Sequence, residues 1–262
     1  MITAACLTLS VCASGGPDVD PMADTREAAE AGDVSAMKGL ASNLLDTEDE
    51  TGWEEAVWWL DAAAAQGDAD AAHRLACAVF AGRGTAPDRA EAAAWWRIAA
   101  EAGHSDAMYD LAVCYRDGLG VTRSETRSSI WFRRAAEGGR PAAMAAWGRC
   151  LFNGTGTMRD DAEAVAWWHK AARRGDVDAM IGLAVAGASG RGTPLDPEAS
   201  TMWWRRAAEA GSPVAMVVVA GAYEMGFGVP QDFEAADLWY RRARSAEPSG
   251  QVVGGLVLAL PD

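Results

Sequence analysis

The sequence predicts an all-α solenoid of helix-turn-helix repeats, and three observations support this. A glycine recurs every 36 residues, at Gly67, Gly103, Gly139, Gly175 and Gly211. Eight residues before each of these glycines stands a tryptophan, at Trp59, Trp95, Trp131, Trp167 and Trp203. A Gly-x-Gly pair divides each unit from Gly67 onward. A period of about 20–50 residues is typical of arrays whose units bury their apolar faces only against their neighbours.

The first half of each unit has the pattern of an amphipathic helix, which we call helix A. In the unit after Gly103, apolar residues recur at helical spacing: Ala107, Met108, Leu111, Ala112 and Tyr115. Ser105 is the predicted N-cap. The helix ends at a pair of glycines, which suit a turn with positive φ and a close approach of two helices. The pairs are Gly82/Gly84, Gly118/Gly120, Gly154/Gly156, Gly190/Gly192 and Gly226/Gly228.

The second half of each unit is a second helix, helix B, which ends at the next repeat glycine. Its predicted N-caps lie six residues after the first glycine of each pair, at Asp88, Ser124, Asp160, Asp196 and Asp232. Glu91 and Glu163 would complete capping boxes with Asp88 and Asp160. Because each repeated tryptophan keeps this phase, we assign the tryptophans to packing between helices and not to ligand stacking.

The chain divides into a leader or linker, 1–21, and a repeat array, 22–262, of about six repeats with capping helices at both ends. Residues from Ser249 to Leu260 are predicted to form a last A-type helix. The leader is interpreted either as a remnant export signal or as an upstream extension. A cytoplasmic protein is favoured because no Lys or Arg precedes Arg26, whereas export signals begin with a basic segment. The alternative is an exported or lipid-anchored protein attached through Cys12.

Charge and composition exclude several function classes. The net charge is −14, and residues 1–66 hold 13 acidic against two basic side chains. A nucleic-acid partner is therefore excluded, because phosphate binding needs a basic surface. Cys77, Cys114 and Cys150 are interpreted as reduced, small apolar residues. No Cys or His spacing resembles a zinc site, so the sequence predicts no metal and no cofactor.

The repeat pattern identifies a family. The residues Ala107, Leu111, Ala112 and Tyr115, then the glycine pair and Trp131, follow a pattern that resembles the Sel1-like repeat, a relative of the tetratricopeptide repeat. The resemblance covers about residues 24–247. It implies a right-handed α-solenoid whose A helices line the concave side, and it implies relatives that act as adaptors between proteins.

We predict a non-catalytic interaction scaffold that binds a peptide or helix of a partner protein in the concave groove. The candidate groove residues are the A-helix side chains outside the core pattern: His73, Phe80, Tyr109, Arg116, Arg149, Phe152, Asn153, Glu224 and Met225. Phe80 and Phe152 would enter apolar pockets of the partner, and Arg116 and Arg149 would pair with its acidic groups. The alternative is that these residues cover the groove and bind nothing specific.

Two other function classes stay open at this point. Ser35-Ala36-Met37-Lys38 spells the S-x-x-K motif of penicillin-recognising hydrolases, although neither S-D-N nor K-T-G occurs in the chain. Ser35 would then be a nucleophile. The other alternative is a surface-anchored structural repeat protein. His104 and His169 are assigned structural roles, because neither has a ligand partner at the spacing of a known metal motif.

Overall fold

The computed structural model describes residues 22–47 and 50–246, and this part of the chain is all-α with no strand. The helices alternate between B (odd numbers) and A (even numbers). They are α1 (Ala23–Glu30), α2 (Val34–Leu45), α3 (Trp53–Ala65), α4 (Ala69–Ala81), α5 (Arg89–Glu101), α6 (Ser105–Asp117), α7 (Glu125–Glu137), α8 (Pro141–Asn153), α9 (Asp161–Ala172), α10 (Val177–Ser189), α11 (Pro197–Glu209), α12 (Pro213–Met225) and α13 (Phe233–Ala246). A short 3-10 turn, Glu50–Gly52, precedes α3. The leader and the helix predicted after Ser249 lie outside the described residues.

Each helix packs mainly against the helices before and after it in the chain, which confirms the predicted single-file stack. Buried side chains form two clusters, one from α1 to α6 and one from α6 to α13. No helix in residues 22–47 and 50–246 is long and apolar enough to cross a membrane. Because every unit leans only on its neighbours, stability in such a stack is a sum of local contacts.

Most of the repeated tryptophans lie at the edge of the core, although Trp59 and Trp239 are buried. Trp95, Trp131 and Trp167 are half-buried, whereas the next residues in the chain, Trp96, Phe132 and Trp168, are buried. In four repeats, a basic side chain three residues further along helix B lies over the ring of the repeated tryptophan. Arg134 lies 4.7 Å from the Trp131 ring centroid, and similar pairs recur in α9, α11 and α13. The tryptophan therefore packs between helices, as predicted, and carries a basic side chain on its outer side.

The two glycines of each pair have different structural roles. The first, such as Gly154, is the left-handed C-cap of helix A, with φ of 70°. The second, such as Gly156, also has positive φ, and a Cβ there would overlap the carbonyl oxygen of Glu125 in the B helix of the preceding repeat. The same overlap would arise at Gly84, Gly120, Gly192 and Gly228. The second glycine thus sets how closely successive repeats approach.

Most of the predicted caps are confirmed, with one correction. Asp88, Ser124, Asp160 and Asp196 accept hydrogen bonds from backbone N–H groups in the first turn of their B helices. The predicted N-cap Ser105 is wrong, because Ser105 is the first residue of α6. His104 is the N-cap, and its Nδ1 accepts a hydrogen bond from the Ala107 N–H at 3.2 Å. An imidazole nitrogen can replace the usual oxygen acceptor because it carries a lone pair in the ring plane.

Candidate functional site

Each A helix carries one stripe of four residues, at spacings of three and four residues. In α4 the stripe is Asp70, His73, Cys77 and Ala81, and in α12 it is Val214, Val217, Gly221 and Met225. Residues at this spacing share one side of a helix. We call the combined stripes of α2, α4, α6, α8, α10 and α12 the A-face.

The A-face begins with a polar end, formed by the stripes of α2, α4 and α6. Here charged groups connect successive repeats. Lys38 in α2 lies 3.0 Å from Asp68 and 3.4 Å from Asp70 of the next repeat. Arg74 in α4 binds Asp70 within its own helix and Ser42 in α2. The polar end is therefore a ladder of contacts between repeats.

Three side chains with metal-ligating atoms converge on this polar end. The Nε2 atom of His73 lies 2.8 Å from Oδ2 of Asp110 in α6 and 3.7 Å from Sγ of Cys77. The nitrogen, sulfur and oxygen atoms all lie within 4.8 Å of one another. Burial lowers the pKa of His73, but the hydrogen bond with Asp110 and the neighbouring Cys77 outweigh burial and raise the pKa to about 9. His73 is therefore charged at neutral pH and pairs with the Asp110 carboxylate.

The ring of His104 stacks on the ring of His73, with centroids 4.6 Å apart and an interplanar angle of 23°. Burial and the charge of His73 hold the pKa of His104 below its ordinary value. A neutral His104 matches its N-cap role, because the N-cap bond needs an unprotonated Nδ1. The structural role predicted for His104 thus has a specific form: it caps α6 and covers one side of the His73 ring.

An open cavity of about 610 Å³ borders this cluster. Its lining includes both His73 and Cys77, together with Ser42, Arg74 and Arg83. Cys77 is free, as predicted, but it is exposed and does not serve as an apolar packing residue. The other two interpretations fit: Cys114 and Cys150 are free and buried, and burial raises the pKa of the Cys114 thiol to about 11.

The same region bears on the penicillin-type alternative. Ser35 is exposed on the first turn of α2, and the Lys38 amine is held by Asp68 and Asp70. The hydrogen bond to Asp68 raises the pKa of Lys38 above its ordinary value, although burial opposes the shift. A lysine that acts as a base needs a lowered pKa. The arrangement gives Ser35 no base.

The A-face ends in an apolar end, formed by the stripes of α10 and α12. Val185 is 40% exposed, Val214 55%, Val217 47% and Met225 62%, and Ile181 is half-buried beside them. These residues occupy neighbouring repeats, so they form one surface. On the B helices, exposed apolar residues at one equivalent position are Trp58, Ile130, Met202 and Leu238, and of these four only the last two stand in successive repeats. A contiguous exposed apolar surface is the rarer feature and indicates an interaction site.

Two of the predicted groove residues are not anchors for a partner. Phe152 is 7% exposed, its ring centroid lies 5.0 Å from that of Trp168, and Arg191 covers it at 3.6 Å. Phe80 is half-buried, and its ring lies 5.3 Å from that of Trp96. Each of the two stands one position before the last residue of its stripe. One residue turns a helix by about 100°, which directs these rings toward helix B of their own repeat.

The other predicted residues divide between the stripe and its margin. His73, Tyr109, Arg149, Asn153 and Met225 lie on the A-face stripes. The Tyr109 ring is half-buried between Phe132 and the Arg140 guanidinium, which leaves little of it for a partner.

Arg116 and Glu224 stand at the position of the two phenylalanines but are exposed. Arg116 donates two hydrogen bonds to Asp117, each 2.8 Å long, and Glu224 accepts one from the Tyr240 hydroxyl. Arg149 is the least engaged of these charged groups, because Asp178 lies 3.9 Å away in an exposed pair.

The sequence interpretation missed the main features of both ends. Cys77, Asp110, Val185, Val214 and Val217 were not among the candidates. A signal existed for the polar end: His73 and Cys77 are four residues apart on one helix, and Asp110 follows His73 by one repeat plus one residue. A signal existed for the apolar end in the valine-rich stretch of α12.

A profile of the Sel1 repeat matches residues 54–68, 69–104, 105–139, 141–176, 177–212 and 213–247. The chain belongs to the Sel1 repeat family. Sel1 repeats form interaction scaffolds, and the family is generally non-enzymatic. In this Sel1 chain, α1 and α2 precede the matched residues, and α2 pairs with α3 as helix A with helix B of the first repeat.

Solved structures agree with this assignment. A protective antigen of uropathogenic Escherichia coli strains, displaying an SLR fold, is 30% identical over 86% of this chain, with a TM-score of 0.80. The match covers 48% of that antigen, so this chain spans about half its length. A Sel1 repeat protein from Oxalobacter formigenes is 26% identical over 78% of this chain and 82% of its own, with a TM-score of 0.72.

A more distant similarity shows the fold alone. The immunity protein PA5088 from Pseudomonas aeruginosa is 17% identical over 81% of each chain, with a TM-score of 0.51. A search of curated proteins finds no match to this chain.

Proposed function

We propose that this Sel1 chain is a non-catalytic scaffold that binds a helix or an extended segment of a partner protein on the apolar end of its A-face. The supporting observation is the exposure of Val185, Val214, Val217 and Met225 on two adjacent A helices. Their own repeats do not need these side chains, because the buried residues of α10 and α12 already form the core contacts.

The spacing suits a partner segment with its own apolar stripe. Because α10 and α12 are the A helices of successive repeats, their apolar rows form a shallow track that one helix or strand can follow. Complete burial of a valine is worth about 1.5–3 kcal/mol, and half-exposed valines have roughly half of that still to gain.

Arg149 adds a charged side chain beside this track. It lies on the α8 stripe next to α10, and its exposed pair with Asp178 is long enough to contribute little. A partner carboxylate would compete with Asp178 for the guanidinium. The partner segment is therefore one with apolar residues followed by an acidic group. Arg116 is less available for this role, because Asp117 already accepts two of its hydrogen bonds.

The test compares two matched double variants in quantitative affinity capture. Val214→Asp with Val217→Asp places charge on the apolar end. Ile98→Asp with Ile130→Asp places the same charge on the B helices, at residues that are each 47% exposed, as is Val217. We expect the first variant to lose at least about tenfold of the partner, which corresponds to about 1.4 kcal/mol, while the second retains it.

Circular dichroism of both variants controls for folding. The proposal is wrong if the A-face variant is folded and captures the same proteins in the same amounts as the native chain.

A further inference from the structure

We propose that His73, Cys77 and Asp110 form a Zn²⁺ site that clamps the second and third A helices together and leaves one coordination position open. The first argument is convergence. His73 and Cys77 lie four residues apart on α4 and share its stripe, and Asp110 reaches them from α6. Ligands from two repeats thus meet at one place on the polar end of the A-face.

The geometry excludes the other common use of these residue types. In a nucleophile–histidine–carboxylate relay, the thiol and the carboxylate contact opposite nitrogens of the ring. Here Asp110 at 2.8 Å and Cys77 at 3.7 Å both face Nε2 of His73. One ring nitrogen carries one proton or one lone pair, so it cannot pass a proton between them. Atoms that surround a single point are instead the arrangement that an ion requires.

The types of ligand atom indicate which metal ion the site would bind. Imidazole nitrogen, thiolate sulfur and carboxylate oxygen are the ligands of Zn²⁺, whereas Mg²⁺ and Ca²⁺ take oxygen atoms. Bond lengths of about 2.0–2.3 Å in a tetrahedron separate the ligand atoms by roughly 3.3–3.7 Å. The 3.7 Å between His73 and Cys77 already fits this range. The 2.8 Å between His73 and Asp110 would lengthen by about half an ångström. A rotation of the Asp110 side chain would also have to bring its oxygen, now within 4.8 Å of the Cys77 sulfur, into this range.

The surroundings suit an accessible metal. Three protein ligands leave the fourth position to water or to an incoming group, and the cavity of about 610 Å³ beside His73 and Cys77 gives access to it. Arg74 lines the same cavity, but its guanidinium is bound by Asp70 at 3.1 Å. Stacking of His104 fixes the plane of the His73 ring, as an outer-shell group does in metal sites.

Binding exchanges the ion for protons. The Cys77 thiol and the His73 imidazolium each lose a proton to solvent, because only the thiolate and the neutral imidazole coordinate. Zn²⁺ affinity should therefore rise with pH.

The experiment uses the full chain, stripped with a chelator and titrated with Co²⁺ and then Zn²⁺. We expect one Co²⁺ per chain, with a thiolate-to-cobalt charge-transfer absorption that Zn²⁺ abolishes. Cys77→Ser should remove this absorption and weaken Zn²⁺ binding by more than about tenfold, the smallest loss typical even of outer-shell partners. Asp110→Asn should weaken binding but keep the absorption. Because Cys77 is exposed, its serine variant should remain folded.

His169→Gln is the matched control, since His169 is exposed on α9 and far along the stack from the cluster. It should bind both metals like the native chain. The inference is overturned if the stripped native chain takes up no Co²⁺ at micromolar concentrations. It is equally overturned if Cys77→Ser binds Zn²⁺ as well as the native chain does. Neither result bears on the apolar end, where the proposed partner binds.

Discussion

The two ends of the A-face have the same backbone and opposite chemistry. In α4 the stripe reads Asp70, His73, Cys77 and Ala81, and its polar groups bind side chains of the repeats on both sides. In α12 the stripe reads Val214, Val217, Gly221 and Met225, and its apolar side chains are exposed. Both helices begin at the same point after their repeat glycine, and both end in the same left-handed glycine cap.

The difference shows which residues the fold constrains. The glycine pairs, the N-caps and the repeated tryptophans hold the stack together, so they recur in almost every repeat. Most stripe residues lie outside the core pattern, although Tyr109 packs on Phe132 of its own repeat, so the stripe is freer to vary. Function in such a stack is therefore read from the positions that break the repeat pattern and not from those that keep it.

The largest expected effect separates the core from the A-face. Phe152→Ala removes a buried ring between Trp168 and Arg191 and should destabilise the protein by about 3–5 kcal/mol. Val217→Ala at the apolar end should cost less than about 0.5 kcal/mol, as at other surface positions. Urea denaturation followed by circular dichroism measures both. If Phe152→Ala leaves the stability unchanged, Phe152 is not a core residue and becomes a candidate for partner binding again.

The next effect concerns the backbone that both ends share. Gly156→Ala introduces a Cβ at positive φ that overlaps the Glu125 carbonyl, and we expect a loss of about 2–5 kcal/mol. Gly103→Ala is the matched control, because Gly103 also has positive φ but has no atom within 4 Å of the added Cβ. It should cost about 1–2 kcal/mol. Equal losses in thermal and urea melts would show that close approach between repeats is not what Gly156 provides.

A smaller effect belongs to the polar end alone. The pKa of His73 is raised from 6.5 to about 9 in the folded chain. A raised pKa contributes stability that is fully present below pH 6.5 and is lost as pH rises through about 9. Since the pair is partly exposed, we expect this loss to be about 1–2 kcal/mol.

Thermal melts of the metal-free protein at pH values between 6 and 9.5, with a chelator present throughout, measure this loss of stability. The groups that face His73 are Asp110, Cys77 and His104. Asp110→Asn should flatten the profile over this range, because it removes the carboxylate that holds the proton. An unchanged profile in Asp110→Asn would show that the pair does not contribute to folding.

The smallest effect lies between the two ends. Arg149→Gln breaks an exposed pair with Asp178 and should change stability by less than about 0.5 kcal/mol. It should nevertheless weaken partner binding, and the weakening should shrink as salt is raised, because salt screens exposed charges. Arg205→Gln is the control, since Arg205 forms a similar exposed pair with Glu209 on α11. Identical binding by the two variants would remove Arg149 from the partner site.

Local chemistry made much of the fold predictable. The 36-residue period, the caps at Asp88, Asp160 and Asp196, and the glycine turns all follow from short-range rules that act within one repeat. Ser105 was mistaken for a cap because a neighbouring histidine can also accept a hydrogen bond. The candidate site was less predictable. A shift of one position on a helix turns a side chain by about 100°, which is why Phe152 and Asn153 were grouped together although only Asn153 is exposed.

Contacts between repeats are the second reason why the candidate site could not be predicted from the sequence. That His73 meets Asp110 depends on the offset between α4 and α6, which no pattern within a repeat fixes. The exposure of Val214 and Val217 likewise depends on what the neighbouring helices cover. Sequence periodicity locates a residue on its own helix, and packing decides what that residue contacts.

Hydrogen exchange of the chain with and without its captured partner tests the division of the A-face most directly. We predict that partner binding slows amide exchange in α10 and α12, leaves α2 and α4 unchanged, and is lost in the Val214→Asp with Val217→Asp variant. Protection confined to α2 and α4, with α12 unaffected, would contradict the account.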